Sequence, residues 1–258
     1  MKKFSFFVVV CVIAFSCSES KKEAPKNTDL LADNLSGKVE QVIETTYKAD
    51  SSGKAGEQDS CCVVTNKYDE KGYASAYSSV NKAGTENNEG VFSHDDNGLF
   101  TEQKMSKNGK LVSSLTVKNE HGKPVIATSF DSSSKMDFYY TGITTNEYDR
   151  LTGYKQYKPD STLKSSAEMA FDKYLFKGQT LKDSAGKETF SNTVTLDDKN
   201  NVIEVVSKEA AKDSTINKTV KYRYDSFDDK GNWTQRTEMD EKGKPVKITK
   251  RTITYYKD

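Results

Sequence analysis

The sequence predicts an all-β protein: a repetitive antiparallel β-meander of hairpins, curled into a partly closed barrel or sandwich, or left as an extended twisted sheet. Three observations predict it. Seven turns of the form Asp/Asn/Ser-x-x-Gly recur along the chain, the segments between them alternate apolar with polar residues, and few windows keep helical apolar spacing beyond two turns.

The turns come first because their chemistry is local. They begin at Asp69, Asp95, Ser106, Asn119, Asp183, Asp228 and Asp240 and end at Gly72, Gly98, Gly109, Gly122, Gly186, Gly231 and Gly243, with looser copies opening at Asp149 and Asp197. Asp, Asn or Ser in the first position accepts hydrogen bonds from backbone N–H groups further on. Gly in the fourth reaches positive φ without a Cβ penalty, as a hairpin turn closing in a bulge requires. Several neighbouring turns lie roughly 11–13 residues apart, the spacing of a β-rich repeat.

The intervening strands follow. Phe190, Asn192, Val194 and Leu196 alternate with Thr189, Ser191, Thr193 and Thr195; Val220, Tyr222 and Tyr224 alternate with Lys221 and Arg223; Leu111, Leu115 and Val117 share one parity with Ser113. Such period-2 patterns give a strand one apolar and one polar face. Val39, Ile43 and Tyr47 also fit one strand face, and a strand is the preferred reading there. The bulk composition agrees. Hydrophobic residues make up 34% and mean hydropathy is −0.78, yet 14 Tyr and 12 Phe are present, which suits sheets with one wet face rather than a disordered chain. The 39 Lys+Arg against 38 Asp+Glu give no basic excess for nucleic acid and no acidic tail.

At the N-terminus, Met1-Lys2-Lys3 precedes an apolar run from Phe6 to Phe15, which reads as a signal peptide over residues 1–16. The run is too short to span a bilayer, which takes roughly 20 residues. The stop at Ala14-Phe15-Ser16-Cys17 resembles a lipobox, which makes Cys17 the lipidated first residue of the mature chain. The partner this implies is a membrane, reached through the lipid anchor. Ser18 in place of Asp implies, by analogy with lipoprotein sorting, the outer membrane; the leaflet stays open. Residues 17–35 read as a flexible tether and residues 36–258 as a single β-repeat domain.

The run Tyr224-Asp225 through Gly231-Asn232-Trp233, the ending Ile253-Thr254-Tyr255-Tyr256, the opening Leu35-Ser36-Gly37-Lys38-Val39 and the pairs Tyr68-Asp69 and Tyr148-Asp149 resemble YD-repeat-like (RHS-like) lipoproteins of Bacteroidetes. The resemblance implies a β-repeat fold and a lipoprotein, and no reaction. Asp160-Ser161-Thr162, Asp183-Ser184-Ala185 and Asp213-Ser214-Thr215 similarly resemble the O-glycosylation sites of Bacteroidetes envelope proteins; Asp-Ser is also ordinary turn chemistry.

Catalytic chemistry finds little footing. The two histidines, His94 and His121, sit in or beside turns and read as solvated. No nucleophile elbow, zinc-binding helix or phosphate loop appears. The acids at Asp95-Asp96 and Asp228-Asp229 read as turn caps, lacking the ligand spacing of a calcium loop. No catalytic residue, metal or cofactor is expected. Adjacent Cys61 and Cys62 form either a strained vicinal disulfide or a buried thiol beside an exposed one. Trp233, Tyr139, Tyr140, Tyr255 and Tyr256 are candidate binding aromatics, or else cross-strand pairs within the sheet. The expected function is a monomeric, non-catalytic binding or scaffold module with a glycan or envelope-protein partner. The alternative is a periplasmic carrier of an acyl chain or other apolar ligand. Trp233, Leu196 and Val220 inside a closed hollow favour the carrier; Tyr and Lys on an open face favour the binder.

Overall fold

The computed structural model describes residues 28–50, 52–211 and 214–257; the predicted leader and Cys17 lie outside them. Apart from one short helix, α1 (Asp29–Ala32), the elements are strands. They are β1 (Val39–Ala49), β2 (Ala55–Tyr68), β3 (Ala74–Val80), β4 (Asn87–His94), β5 (Phe100–Lys107), β6 (Lys110–Glu120), β7 (Lys123–Asp131) and β8 (Met136–Thr145). The second half holds β9 (Leu151–Tyr157), β10 (Leu163–Asp172), β11 (Leu175–Asp183), β12 (Glu188–Leu196), β13 (Val202–Ala210), β14 (Thr215–Phe227), β15 (Trp233–Met239) and β16 (Pro245–Tyr255). Each strand pairs antiparallel with the next, and β1 pairs with both β2 and β16, so the sixteen strands close into a barrel. Full closure removes the sheet edges that a meander would leave unpaired.

The turn chemistry explains the hairpins. In the turn between β2 and β3, Asp69 Oδ1 accepts from the amides of Lys71 and Tyr73, both at 2.9 Å, while the Asp69 amide donates to the Tyr73 carbonyl at 2.8 Å. The same unit opens at Asp50, Asp131, Asp183, Asp197, Asp228 and Asp240 and, with an amide oxygen as acceptor, at Asn146. The recurring motif is therefore five residues long, not four. Three predicted turns change form. Ser106–Gly109 and Asn119–Gly122 are two-residue turns on Asn108-Gly109 and His121-Gly122, with positive φ at both central residues, the type I′ geometry that suits strand twist. Asp149 does not open a turn; it fills the fourth position of the one that Asn146 opens, at φ 54°.

The two rims of the barrel differ in the fifth turn residue. On one rim Tyr73, Leu99, Arg150, Asn201 and Asn232 occupy it, all buried; on the other Lys54, Lys135, Lys187 and Lys244 occupy it, all exposed. The buried set packs around residues 28–36, which fold into the mouth of the barrel as a plug. Thr28 caps α1; the Leu30 amide donates to the Gly72 carbonyl (3.2 Å), Asn34 Nδ2 to the Lys199 carbonyl (3.0 Å), and Ser36 and Asn232 exchange two bonds of 2.7 and 2.9 Å. These contacts reach turns around the whole circumference, so the segment sits inside the rim. Residues 28–35, within the stretch 17–35 read from sequence as tether, are thus part of the fold.

The compact core lies at this plugged rim. Leu30, Leu35, Val39, Val42 and Tyr68 form one buried cluster, with Ala74, Ile253 and Tyr255 against it; Leu99 and Phe100 form a second, with Phe92, Leu115 and Val117.

Candidate functional site

The plug fixes which face of each strand looks inward. Val42, Ile253 and Tyr255 pack on it, and Arg251, paired with Glu44 in register, shares their parity. Register carries that face around the ring. Val42 opposes Asn66, Asn66 opposes Tyr77, Tyr77 opposes Gly90, and Gly90 opposes Met105. Leu115, Val117, Ala127 and Tyr140 continue it, then Tyr154, Ala167, Leu181 and Phe190, then Val194, Val205, Val220 and Tyr222. The inner wall thus mixes aliphatic and aromatic side chains with uncharged polar ones, among them Asn66, Ser113, Ser129, Gln156, Asn192 and Ser207. Ala127, Ala167, Met169 and Val194 are buried, while Tyr77, Phe92, Leu115, Val205 and Val220 stay half-exposed. Barrels of sixteen strands are wide enough to leave interior space between their side chains, in keeping with the exposure of these inward apolar groups.

The outer wall carries the opposite parity and the opposite chemistry. Glu102 and Lys104 pair at 2.8 Å, Glu168 and Lys182 at 2.7 Å, and Glu204 and Lys221 at 3.7 Å on that face. A lipid-embedded barrel inverts this pattern, with apolar residues outward and charges costing about 2–4 kcal/mol at the bilayer midplane. This wall faces water.

The plug is held by buried charge. Arg150 is 0% exposed; its Nη2 donates to the Thr28 carbonyl at 2.8 Å and its Nη1 lies 3.9 Å from Asp29 Oδ1. Asp29 Oδ2 accepts from the Ala74 amide at 2.7 Å and lies 4.0 Å from His94 Nε2. Burial pulls the Arg150 guanidinium pKa down and, in the same region, pushes the Asp33 carboxyl up, although Tyr68 Oη donates to Asp33 Oδ2 at 2.6 Å and opposes that rise. His94 departs from its expected solvated turn position: it stacks on Tyr73 at 5.0 Å and meets Phe100 edge-on at 5.8 Å, and burial lowers its pKa. His121 is exposed at its turn tip.

The candidate aromatics do not converge. Trp233 is buried at the inner wall, beside Tyr224 and under the Arg251 guanidinium at 3.5 Å. Tyr140 also faces inward, edge-on to Tyr154, whereas Tyr139 stacks with Tyr157 on the outer wall. Tyr255 hydrogen-bonds Asp228, and Tyr256 Oη donates to the Tyr68 carbonyl at 2.7 Å. Cys61 and Cys62 are free thiols with their sulfurs 2.6 Å apart, where β2 bulges from its register with β1; burial and its neighbour push the Cys61 thiol up to about 11. Ser161, Ser184 and Ser214 stand in three successive turns of the unplugged rim. Among the described residues no group of three His, Cys, Asp or Glu could hold a metal ion.

No sequence-family model matches the chain, and no curated protein matches it. Among solved structures, a porin-like protein from Bacteroides uniformis is similar at 14% identity and TM-score 0.52, over 84% of this chain and 98% of that one. The TcdB2–TccC3 structure is similar at 13% identity and TM-score 0.30, over 81% of this chain and 13% of that one. A porin-like protein from Bacteroides vulgatus is similar at 12% identity and TM-score 0.34, over 84% of this chain and 98% of that one. The first of these shares the closed-barrel fold. The YD-repeat (RHS-like) identification does not stand: Asp69 and Asp149 lie in hairpin turns and Tyr224-Asp225 inside β14 of one closed sixteen-stranded barrel, a fold shared with the Bacteroides uniformis porin-like protein.

Proposed function

We propose that this chain is a non-catalytic carrier of the cell envelope, tethered to a membrane through Cys17, that holds an apolar ligand inside its barrel. One observation carries the reading: a ring of half-exposed aliphatic and aromatic side chains lines a lumen sealed at one rim by residues 28–36, behind a charged outer wall. Contiguous apolar surface of this kind marks a binding site. The inward positions of Trp233 and Val220 are those that favour a carrier over a glycan- or protein-binding face. The plug makes the lumen a cup rather than a channel. The anchor concentrates the cup at a membrane, the source of apolar cargo.

Titration of the full chain with the fluorescent apolar probe N-phenyl-1-naphthylamine tests the reading. Saturable uptake near one probe per chain supports it. Uptake unchanged by Ala127→Glu and Val194→Glu, both of which put a carboxylate on the inner wall, refutes it.

A further inference from the structure

The inner wall is not uniform. From β4 to β13 it is almost wholly uncharged, whereas β14 to β16 bring charge inward: Arg236, Glu238, Lys247 and Arg251 share its parity. Arg236 opposes Tyr224 and Thr249 in register and so faces the lumen; its guanidinium lies 4.8 Å from the Tyr222 ring and 4.8 Å from the Trp233 ring. Among the described residues no carboxylate forms an ion pair with it within 4.0 Å. Arg251 sits on the same Trp233 ring at 3.5 Å, nearly enclosed. Its Nε donates to Glu44 Oε1 at 2.7 Å, while its Nη1 is buried with no hydrogen-bond partner. Two guanidiniums thus share one tryptophan and one directly paired carboxylate; Asp33 acts on Arg251 from further off and is itself bonded by Tyr68. Two like charges held together, with one buried N–H group unanswered, call for an anion. A recess of about 340 Å³ shares Tyr222 and Tyr224 with this cluster; Ile203 and Phe227 line it too, with Arg223 and the turn residues Asp197, Asp198 and Lys199 at the plugged rim.

Resting on the carrier reading above, the geometry points to the ligand class: an amphiphile with an anionic head, carboxylate or phosphate, seated between Arg236 and Arg251 at Trp233. Its chain runs from there along Tyr222, Val220 and Val205 toward the unplugged rim. The apolar arc accepts the tail, and the arginine pair selects the head. A neutral or cationic head leaves Arg251 Nη1 unanswered or meets like charge.

Displacement of N-phenyl-1-naphthylamine from the full chain tests this, with hexadecanoate, hexadecyl phosphate, hexadecanol and hexadecyltrimethylammonium as competitors below their micellar concentrations. Emission of Trp233, the chain's single tryptophan, supplies a second signal at the head site. The expected result is at least tenfold tighter competition by the two anions than by hexadecanol, weakest competition by the cation, and a Trp233 shift with the anions. Hexadecanoate against hexadecyl phosphate tells which head is preferred. Arg236→Gln should bring the anions to within about threefold of hexadecanol while hexadecanol itself competes as before, and Arg236→Lys should keep part of the preference. Equal competition by hexadecanol and hexadecanoate, or a preference that survives Arg236→Gln, overturns the anion site and leaves the carrier intact. Failure of the naphthylamine probe to bind at all overturns both.

Discussion

Replacing Arg150 by Met removes the charge that faces the plug while keeping most of the side-chain volume. In the folded protein Arg150 makes one charge-assisted bond to the Thr28 carbonyl and a looser contact, at 3.9 Å, with Asp29. Losing the bond costs about 1.5–3 kcal/mol. Leaving Asp29 buried without its cation adds a further penalty, which for well-formed pairs reaches about 3–5 kcal/mol. Two terms work the other way: Arg150 Nε and Nη1 have no hydrogen-bond partner, so their removal relieves a desolvation penalty, and Asp29 keeps the Ala74 amide. The balance predicts a loss of about 2–4 kcal/mol, or roughly 5–15 °C in melting temperature for a domain of this size. Thermal unfolding followed by circular dichroism measures the shift, and limited proteolysis followed by N-terminal sequencing reports whether residues 28–36 become cleavable. Adding Asp29→Asn to Arg150→Met should recover at least about 1 kcal/mol, because the buried carboxylate that faced Arg150 is then neutral. A variant within about 0.5 kcal/mol of the parent, with the plug still protected, would refute the claim that buried charge latches the plug.

Other outcomes follow from the same geometry. Gly98→Ala should destabilise by about 2–4 kcal/mol and Gly243→Ala by about 1 kcal/mol. Both residues have positive φ (80° and 78°), but a Cβ at Gly98 would fall 2.2 Å from the Tyr73 hydroxyl oxygen, whereas Gly243 has open space; equal losses in denaturant melts would contradict the packing argument. Burial holds the His94 pKa below its unfolded value near 6.5, so the neutral ring's contribution is complete above that value. It is lost as pH falls from about 6.5 through the folded pKa, at no more than about 1.4 kcal/mol per pH unit. His94→Phe should flatten that part of a stability–pH profile, and an unchanged slope would assign it to another group. Cys17→Ala should release the protein from the membrane fraction, and a variant that stays with the membranes would remove the lipid anchor from the account. Mass spectrometry of the native protein should find hexose-bearing peptides at Ser161, Ser184 or Ser214 if the Asp-Ser turns are glycosylated, and bare peptides at all three would dismiss that expectation.

Much of the fold was legible because its signals are local. An Asp that accepts from amides two and four residues on leaves its mark within five residues, so the hairpins from Asp69, Asp183, Asp228 and Asp240 stand where the pattern puts them. Closure left no such mark. It depends on β1 pairing with β16, with Val42 opposite Ile253, and neither strand's sequence names a partner so distant. The plug was missed for a similar reason. Thr28–Ser36 is too short for its leucines, Leu30, Leu31 and Leu35, to set a period, and its partners Gly72, Arg150, Lys199 and Asn232 come from four separate turns. A signal was present in the fifth turn residue: Tyr73, Leu99, Arg150, Asn201 and Asn232 at alternate turns, Lys54, Lys135, Lys187 and Lys244 at the others. That alternation separates a covered rim from a wet one. The arginine pair had no local signature either, since Arg236 and Arg251 meet through Trp233 only once β15 and β16 are in register.

The central claim is that the lumen holds cargo, and the most direct measurement is to purify the full chain from its own envelope under mild conditions, weigh the intact complex by native mass spectrometry, and identify what organic solvent extracts from it. The account predicts about one amphiphile per chain, released on Ala127→Glu substitution. A protein that emerges with an empty lumen and takes up no apolar probe would contradict it.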